Sequence, residues 1–140
     1  MAKLSASQSR SRKSADKREA VLRVLHQSDR PLTAYQILAR LRGDSIKAPT
    51  TVYRLLEQLI GEGEIHRIES INSFVACDKS CHSDRKKAVF SICEECGKTC
   101  EFADDQILAI LLRQAQMLNF ELHSTTLEMR GRCASCAGKA

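Results

Sequence analysis

The sequence predicts an α+β chain built from two small units, and three observations predict it. Residues 16 to 77 carry three helix patterns followed by two short strand patterns, and residues 78 to 87 are polar and unpatterned. Residues 88 to 140 carry two Cys-x-x-Cys pairs separated by a strand, a helix and a strand. The order helix, helix, turn, helix, hairpin is that of a winged helix, and the second unit reads as a small α/β layer around a four-cysteine zinc site. A chain of 140 residues split this way has two thin cores, which a metal staple or a partner copy would reinforce.

Taken in order, residues 1 to 15 show no apolar periodicity and read as a basic, disordered arm. Ala20, Val21, Val24 and Leu25 then fall on one face of a helix over 16 to 28. In "RPLTAYQIL" Thr33 is placed as an N-cap, Gln36 completes a capping box, and Leu32 with Ile37 forms a hydrophobic staple. That helix runs to about Leu41, where "RGDS" breaks it. The helix of "KAPTTVYRLLEQLI" has Pro49 in its first turn and an apolar stripe of Val52, Leu55, Leu56, Leu59 and Ile60. After "GEGE", the segments "IHRIE" and "SFVAC" form a hairpin turning around residues 70 to 72, which sets His66 nearly opposite Cys77.

Residues 78 to 87 are the hinge linker, and 88 to 140 the second domain. "AVFSIC" is a strand, Lys98 to Phe102 a second, and Asp104 opens a helix with apolar Ile107, Leu108, Leu111, Leu112 and Ala115. The segment "FELHSTTLEMRGRC" is a last strand that delivers the final cysteine pair.

Charge and cysteine content narrow the function classes. The formal net charge is +5, and the first 30 residues hold eight Lys and Arg against three acids, which suits an anionic partner such as nucleic acid. A solvated tail is the plainer account of residues 1 to 15. Seven cysteines without a charged-then-apolar leader point to a reduced, cytoplasmic chain, and the run "ILAILL" is too short to cross a bilayer.

Cys93 with Cys96, and Cys133 with Cys136, can each present two thiolates from a tight turn to one tetrahedral zinc. A redox dithiol competes, but the helix-opening context of such pairs is missing. His66, Cys77, Cys81, His82, Cys100 and Glu101 remain as donors, and a mixed nitrogen, sulfur and carboxylate set suits zinc. Each of them alone is equally well an ordinary surface or packed residue. On the helix from Pro49, burial of Leu55, Leu56 and Leu59 turns Thr51, Arg54 and Gln58 outward. With Lys47 ahead of the helix and Tyr35 on the preceding one, these side chains can reach bases and phosphates in a major groove.

The segments "PTTVYRLLEQL" and "ESINSFVAC", and "CEECGKTCE" paired with "GRCASC", together resemble the ferric uptake regulator family and its zinc-sensing subclass. The resemblance covers nearly the whole chain after residue 16. It implies a cytoplasmic homodimer with a winged-helix domain and an α/β dimerisation domain. Such a protein represses transcription at AT-rich palindromic operators when its regulatory metal is bound, here with zinc uptake genes as targets. It also implies two zinc ions per subunit. Cys93, Cys96, Cys133 and Cys136 match the structural site; His66, Cys77 and Glu101 match the hinge site, with His82 as fourth ligand and Cys81 as a possible substitute. Tyr35, Tyr53 and Arg54 match DNA-contacting positions. The chain departs from the family at Lys86, where a linker His is expected, and at "ADKR", where only Arg18 of an opening motif aligns.

A thiolate at Cys77 favours zinc over iron or manganese, which weighs against an iron or peroxide sensor. A hydrolytic enzyme using Glu101 as general base, and a zinc-ribbon adaptor that binds protein, are the rivals outside the family. The helix-turn-helix pattern argues against both. Cys100 alternates with Glu101 along its strand and is expected to pack on the opposite face.

Overall fold

The computed structural model describes residues 6–41, 46–77, 87–102 and 104–138. The order of elements is α1 (Ala6–His26), α2 (Ala34–Arg40), α3 (Pro49–Gly61), β1 (Ile65–Ile68), β2 (Ser73–Ala76), β3 (Lys87–Cys93), β4 (Thr99–Phe102), α4 (Asp105–Met117), β5 (Thr125–Gly131) and α5 (Ala134–Ala137). Two compact units divide the chain at Ala76 and Cys77, one residue before the boundary expected from the sequence. Cys81, His82, Lys86 and the "RGDS" break lie outside the described residues. Among the described residues no helix is long and apolar enough to cross a membrane.

The first unit differs from expectation at its start, because α1 begins at Ala6 rather than near residue 16. From Ala6 to His26 there is no glycine or proline, and Ala, Gln, Arg and Lys all favour helix, so nothing in this stretch stops it. Thr33 caps α2 as expected: its hydroxyl accepts from the Gln36 N–H at 3.2 Å, and the Gln36 amide oxygen accepts from the Thr33 N–H at 2.9 Å. Thr33→Ala is expected to cost about 1 kcal/mol, read as a lowered thermal midpoint of the first unit. An unchanged midpoint would deny the cap that role.

Helix α3 starts with Pro49 at its first turn and buries Val52, Leu55, Leu56 and Leu59. Ile60, at the margin of that stripe, stays exposed. The buried residues of α3 join Val21, Leu25, Leu32, Ile37, Leu41, Ile46, Ile65 and Phe74 in one core. The antiparallel hairpin pairs Ile65 with Ala76 and Ile68 with Ser73, and Asn72, with φ 46°, takes the left-handed conformation its turn needs. This register sets Val75 opposite His66, so the expected pairing of His66 with Cys77 is offset by two residues. Leu32 adds a third position to the hairpin through reciprocal backbone bonds with Phe74 of 3.0 and 2.8 Å.

In the second unit the sheet order is β4, β3, β5. The β3 and β4 strands are antiparallel neighbours, while β3 and β5 run parallel, with α4 between them in sequence. The central strand buries Ala88, Val89, Phe90 and Ile92. The last strand is shorter than the apolar pattern suggested because only Thr125–Gly131 finds a partner on β3. Asp104 caps α4 by accepting from the N–H groups of Gln106 and Ile107. Only Ala115 of α4 is buried, whereas Ile110 and Leu112 are exposed, as are Met117, Leu118 and Phe120 beside them. Apolar side chains from Ile107 to Leu112 wrap about 200° of the helix, more than one narrow sheet can cover.

Candidate metal centres and nucleic-acid interface

The parallel register of β3 with β5 brings the two cysteine pairs together. Cys93, the last residue of β3, pairs with Gly131, so Cys133 follows two residues beyond the same sheet end. The chain turns after Cys93 through Gly97, whose φ of 72° is unstrained only for glycine, and the Gly97 N–H donates to the Cys93 carbonyl at 2.9 Å. On the other side Cys133 sits at the N-cap of α5, a one-turn helix that the sequence reading missed, and this turn folds Cys136 back beside Cys133. The four sulfurs lie within 4.8 Å of one another. Cys96 Sγ and Cys133 Sγ are 3.8 Å apart, and a tetrahedron with Zn–S bonds of about 2.3 Å has edges of about 3.8 Å. The donor set and its spacing therefore fit zinc.

Local electrostatics prepare part of this site for a cation. The Cys93 thiol is pushed down to about 6 by the N–H of Cys96, with a further N–H from Cys133 whose nitrogen is 3.3 Å from the sulfur. Cys133 is also lowered, chiefly by the Cys136 N–H. Cys136 is raised because it shares a proton with Cys133. The turn thus holds thiolate at one corner and thiol at another, a division that a bound divalent cation removes.

In the metal-free chain these shifts make stability depend on pH. Cys93 contributes stability that is full above its ordinary value of 9 and is lost as the pH falls towards 6. Cys136 contributes stability that is full below 9 and is lost as the pH rises above it. The thermal midpoint of the zinc-stripped chain is therefore expected to rise from pH 6 to a maximum near pH 9. A flat profile over that range in a calorimetric series would contradict this.

Two ion pairs that sequence reasoning missed tie the first cysteine turn to the end of β5. Arg130 bonds Glu94 at 2.7 Å and Arg132 bonds Glu95 at 3.0 Å. The signal was present in the sequence, since both acids lie inside the first Cys-x-x-Cys and both arginines just precede the second.

His66 is buried on β1. Cys77 is buried, 3% exposed, and its Sγ lies 3.9 Å from the carboxylate of half-buried Glu101 on β4. Glu101 stands opposite Phe90 and Cys100 opposite Ser91, so the two alternate across the sheet as expected. Cys100, however, is exposed rather than packed.

The side chains expected from the sequence to meet DNA lie in the first unit. Tyr35 is exposed on α2, Lys47 is exposed ahead of α3, and Tyr53 and Arg54 project from α3. Thr51 is half-buried. Gln58, on the same outward line, donates to Glu62 at 3.2 Å. Glu62 also accepts from Arg18 of α1, whose guanidinium holds its carboxyl below the usual range.

Known proteins agree with this arrangement. The Ferric uptake regulator family model matches residues 9–130. The zinc uptake regulation protein of Escherichia coli strain K12 is 35% identical over 117 residues, which cover 83% of this chain and 68% of that protein. The Shigella flexneri protein of the same name gives the same figures. Among solved structures, holo XcZur matches with a TM-score of 0.77 and 37% identity, covering 86% of this chain and 84% of that one. A zinc uptake regulator complexed with zinc and DNA matches with a TM-score of 0.79 and 30% identity, covering 86% and 81%. With a family match that reaches into both units and includes Cys93 and Cys96, this chain belongs to the ferric uptake regulator family.

Proposed function

We propose that this protein is a zinc-responsive transcriptional repressor that binds AT-rich palindromic operators of zinc uptake genes when its regulatory site is filled. The observation that carries the reading is the pairing, in one chain, of a four-sulfur cluster with zinc dimensions and an exposed basic helix face. Its similarity to a regulator bound to zinc and DNA supports the same reading. The chain is a binding protein of the cytoplasm, not an enzyme.

Two zinc ions per subunit serve different ends. Cys93, Cys96, Cys133 and Cys136 hold the structural ion. His66, Cys77 and Glu101 hold the regulatory one, with His82 as fourth ligand or Cys81 in its place. The contact between the Cys77 thiol and Glu101 supports this assignment, because a thiol and a carboxylate side by side are a ready pair of anionic donors for a divalent cation. Zinc supplies there a charge that joins donors from separate segments. The donors come from β1, the linker and β4, so a filled site fastens together segments far apart in the chain.

The protein acts as a homodimer. The exposed Ile110, Leu112, Met117, Leu118 and Phe120 form an apolar surface of the kind that a partner copy covers. A dimer presents two α3 helices, and Lys47, Thr51, Tyr53 and Arg54, with Tyr35, contact successive major grooves. Fluorescence anisotropy on an AT-rich palindromic duplex, with free zinc stepped upward in a chelator buffer, tests the reading. Binding is expected only as zinc rises and not with iron or manganese; equal binding at every zinc level would refute metal control.

A further inference from the structure

We propose that Glu94 and Glu95, paired with Arg130 and Arg132, are positioning residues of the structural zinc site: they form a clasp, independent of the metal, that holds the two cysteine turns together and slows loss of the ion. This rests on the reading of Cys93, Cys96, Cys133 and Cys136 as that site. Within each turn the sulfurs are set locally, by the bend at Gly97 in one and by α5 in the other. The separation of the two turns is not, because Cys96 and Cys133 are 37 residues apart in the chain.

The ladder between β3 and β5 ends at the pair of Cys93 with Gly131, and the clasp begins where it stops. The Glu94 N–H donates to the Gly131 carbonyl at 2.8 Å. Arg130 Nη2 lies 2.7 Å from Glu94 Oε1, and Arg132 Nη1 lies 3.0 Å from Glu95 Oε1. The two acids are both of the residues between Cys93 and Cys96, and the two arginines flank Gly131 immediately before Cys133. Incidental surface charges pair with whatever is nearest. Here both ion pairs of the turn go to the one segment that carries the other half of the site.

Magnitude decides what the clasp can do. All four side chains are exposed, and one exposed pair shifts an equilibrium by only about 1.4- to 5-fold, too little to determine whether the unit folds. Loss of a chelated ion is stepwise, however: one pair of thiolates lets go, and the ion is then recaptured or escapes. Recapture depends on the effective concentration of the freed pair, which falls when its turn swings away. Two ion pairs that act on the same separation together change that step by about fivefold. Because each Glu is matched by an Arg, the clasp adds no net charge beside the sulfurs and acts through position rather than field. A sensor whose regulatory ion must come and go keeps its structural ion longer by this means.

The test follows zinc release to excess 4-(2-pyridylazo)resorcinol from the full-length protein, dialysed until one zinc ion per subunit remains, over about 0.05 to 0.5 M KCl. A Glu94→Gln, Glu95→Gln variant is expected to release zinc about fivefold faster at about 0.1 M salt, with the dichroism of the zinc-loaded sheet unchanged. The wild-type rate should rise with salt towards that of the variant, since screening weakens exposed pairs, while the variant's stays flat. Exchanging the charges, with Glu94→Arg, Glu95→Arg, Arg130→Glu and Arg132→Glu together, rebuilds both bonds and should return the rate to within about twofold of wild type. The salt series on the wild-type protein needs no substitution, so it decides the matter even where a variant misfolds. A wild-type rate that ignores salt overturns the clasp, as does a glutamine variant that releases zinc no faster than wild type. A charge-exchanged protein that stays as fast as the glutamine variant overturns it too, since the acids would then act by their sign alone. If no zinc survives dialysis of the wild-type protein, the structural-site reading itself falls, and the clasp with it.

Discussion

Cys136→Ser is expected to release the structural zinc and unfold the second unit. The serine hydroxyl does not ionise near neutral pH, so the site drops from four thiolates to three and its closed shell opens to water. Structural zinc sites of this type contribute about 10–16 kcal/mol of apparent binding free energy to folding. The apolar side chains buried in the second unit, chiefly Val89, Phe90 and Ile92, are too few to replace that. Metal analysis after dialysis against a chelator should find one zinc ion fewer per subunit. The far-ultraviolet dichroism of the sheet should fall at the same time, while the first unit, with its own core, keeps its helices. A variant that melts like wild type and keeps its zinc would reduce the cluster to four cysteines that happen to be near one another.

The Cys77→Ala variant is expected to keep its structural zinc and its fold but to lose the zinc response of DNA binding. Removing one buried sulfur costs far less than removing the cluster, because alanine leaves only a small cavity. The proposed regulatory site loses a soft donor, and with it preference for zinc over harder cations. Coupling between metal and DNA is typically 1–3 kcal/mol, so the loss should appear as about 5- to 150-fold weaker binding at high zinc, with low-zinc binding unchanged. Glu101→Gln should give the same pattern in weaker form. Cys100→Ala, its neighbour on the strand but exposed, should respond to zinc as wild type does. If Cys77→Ala still binds DNA only when zinc rises, the sensing site lies elsewhere.

What the sequence disclosed and what it hid follow a physical pattern. Strongly periodic or punctuated segments were legible: the capping box at Thr33, the stripe of α3 and the cap at Asp104 all stand where their residue spacing put them. The cysteine pairs were legible because tetrahedral coordination leaves few spacings possible. The start of α1 was not, since its first half has good helix formers but no apolar periodicity to mark it. The hairpin register escaped by two residues because the turn includes a short 3-10 segment, Glu69–Ile71, whose length no strand pattern reveals. The small helix after Cys133 was too short to have any period.

The parallel pairing of β3 with β5 has a consequence for how the protein is made. Cys96 and Cys133 are 37 residues apart in the chain, and no thiolate of the second pair exists until α4 and β5 have been synthesised. Until then the emerging polypeptide can offer this site only Cys93 and Cys96, a weak two-sulfur grip, through the whole time that α4 forms. Closing that long loop is entropically costly, and the ion that completes the tetrahedron also secures the non-local strand pair. Metal capture at this site and closure of the β3–β5 pair are thus one event, so a polypeptide truncated before Cys136 would be an open, metal-poor form exposed to proteolysis.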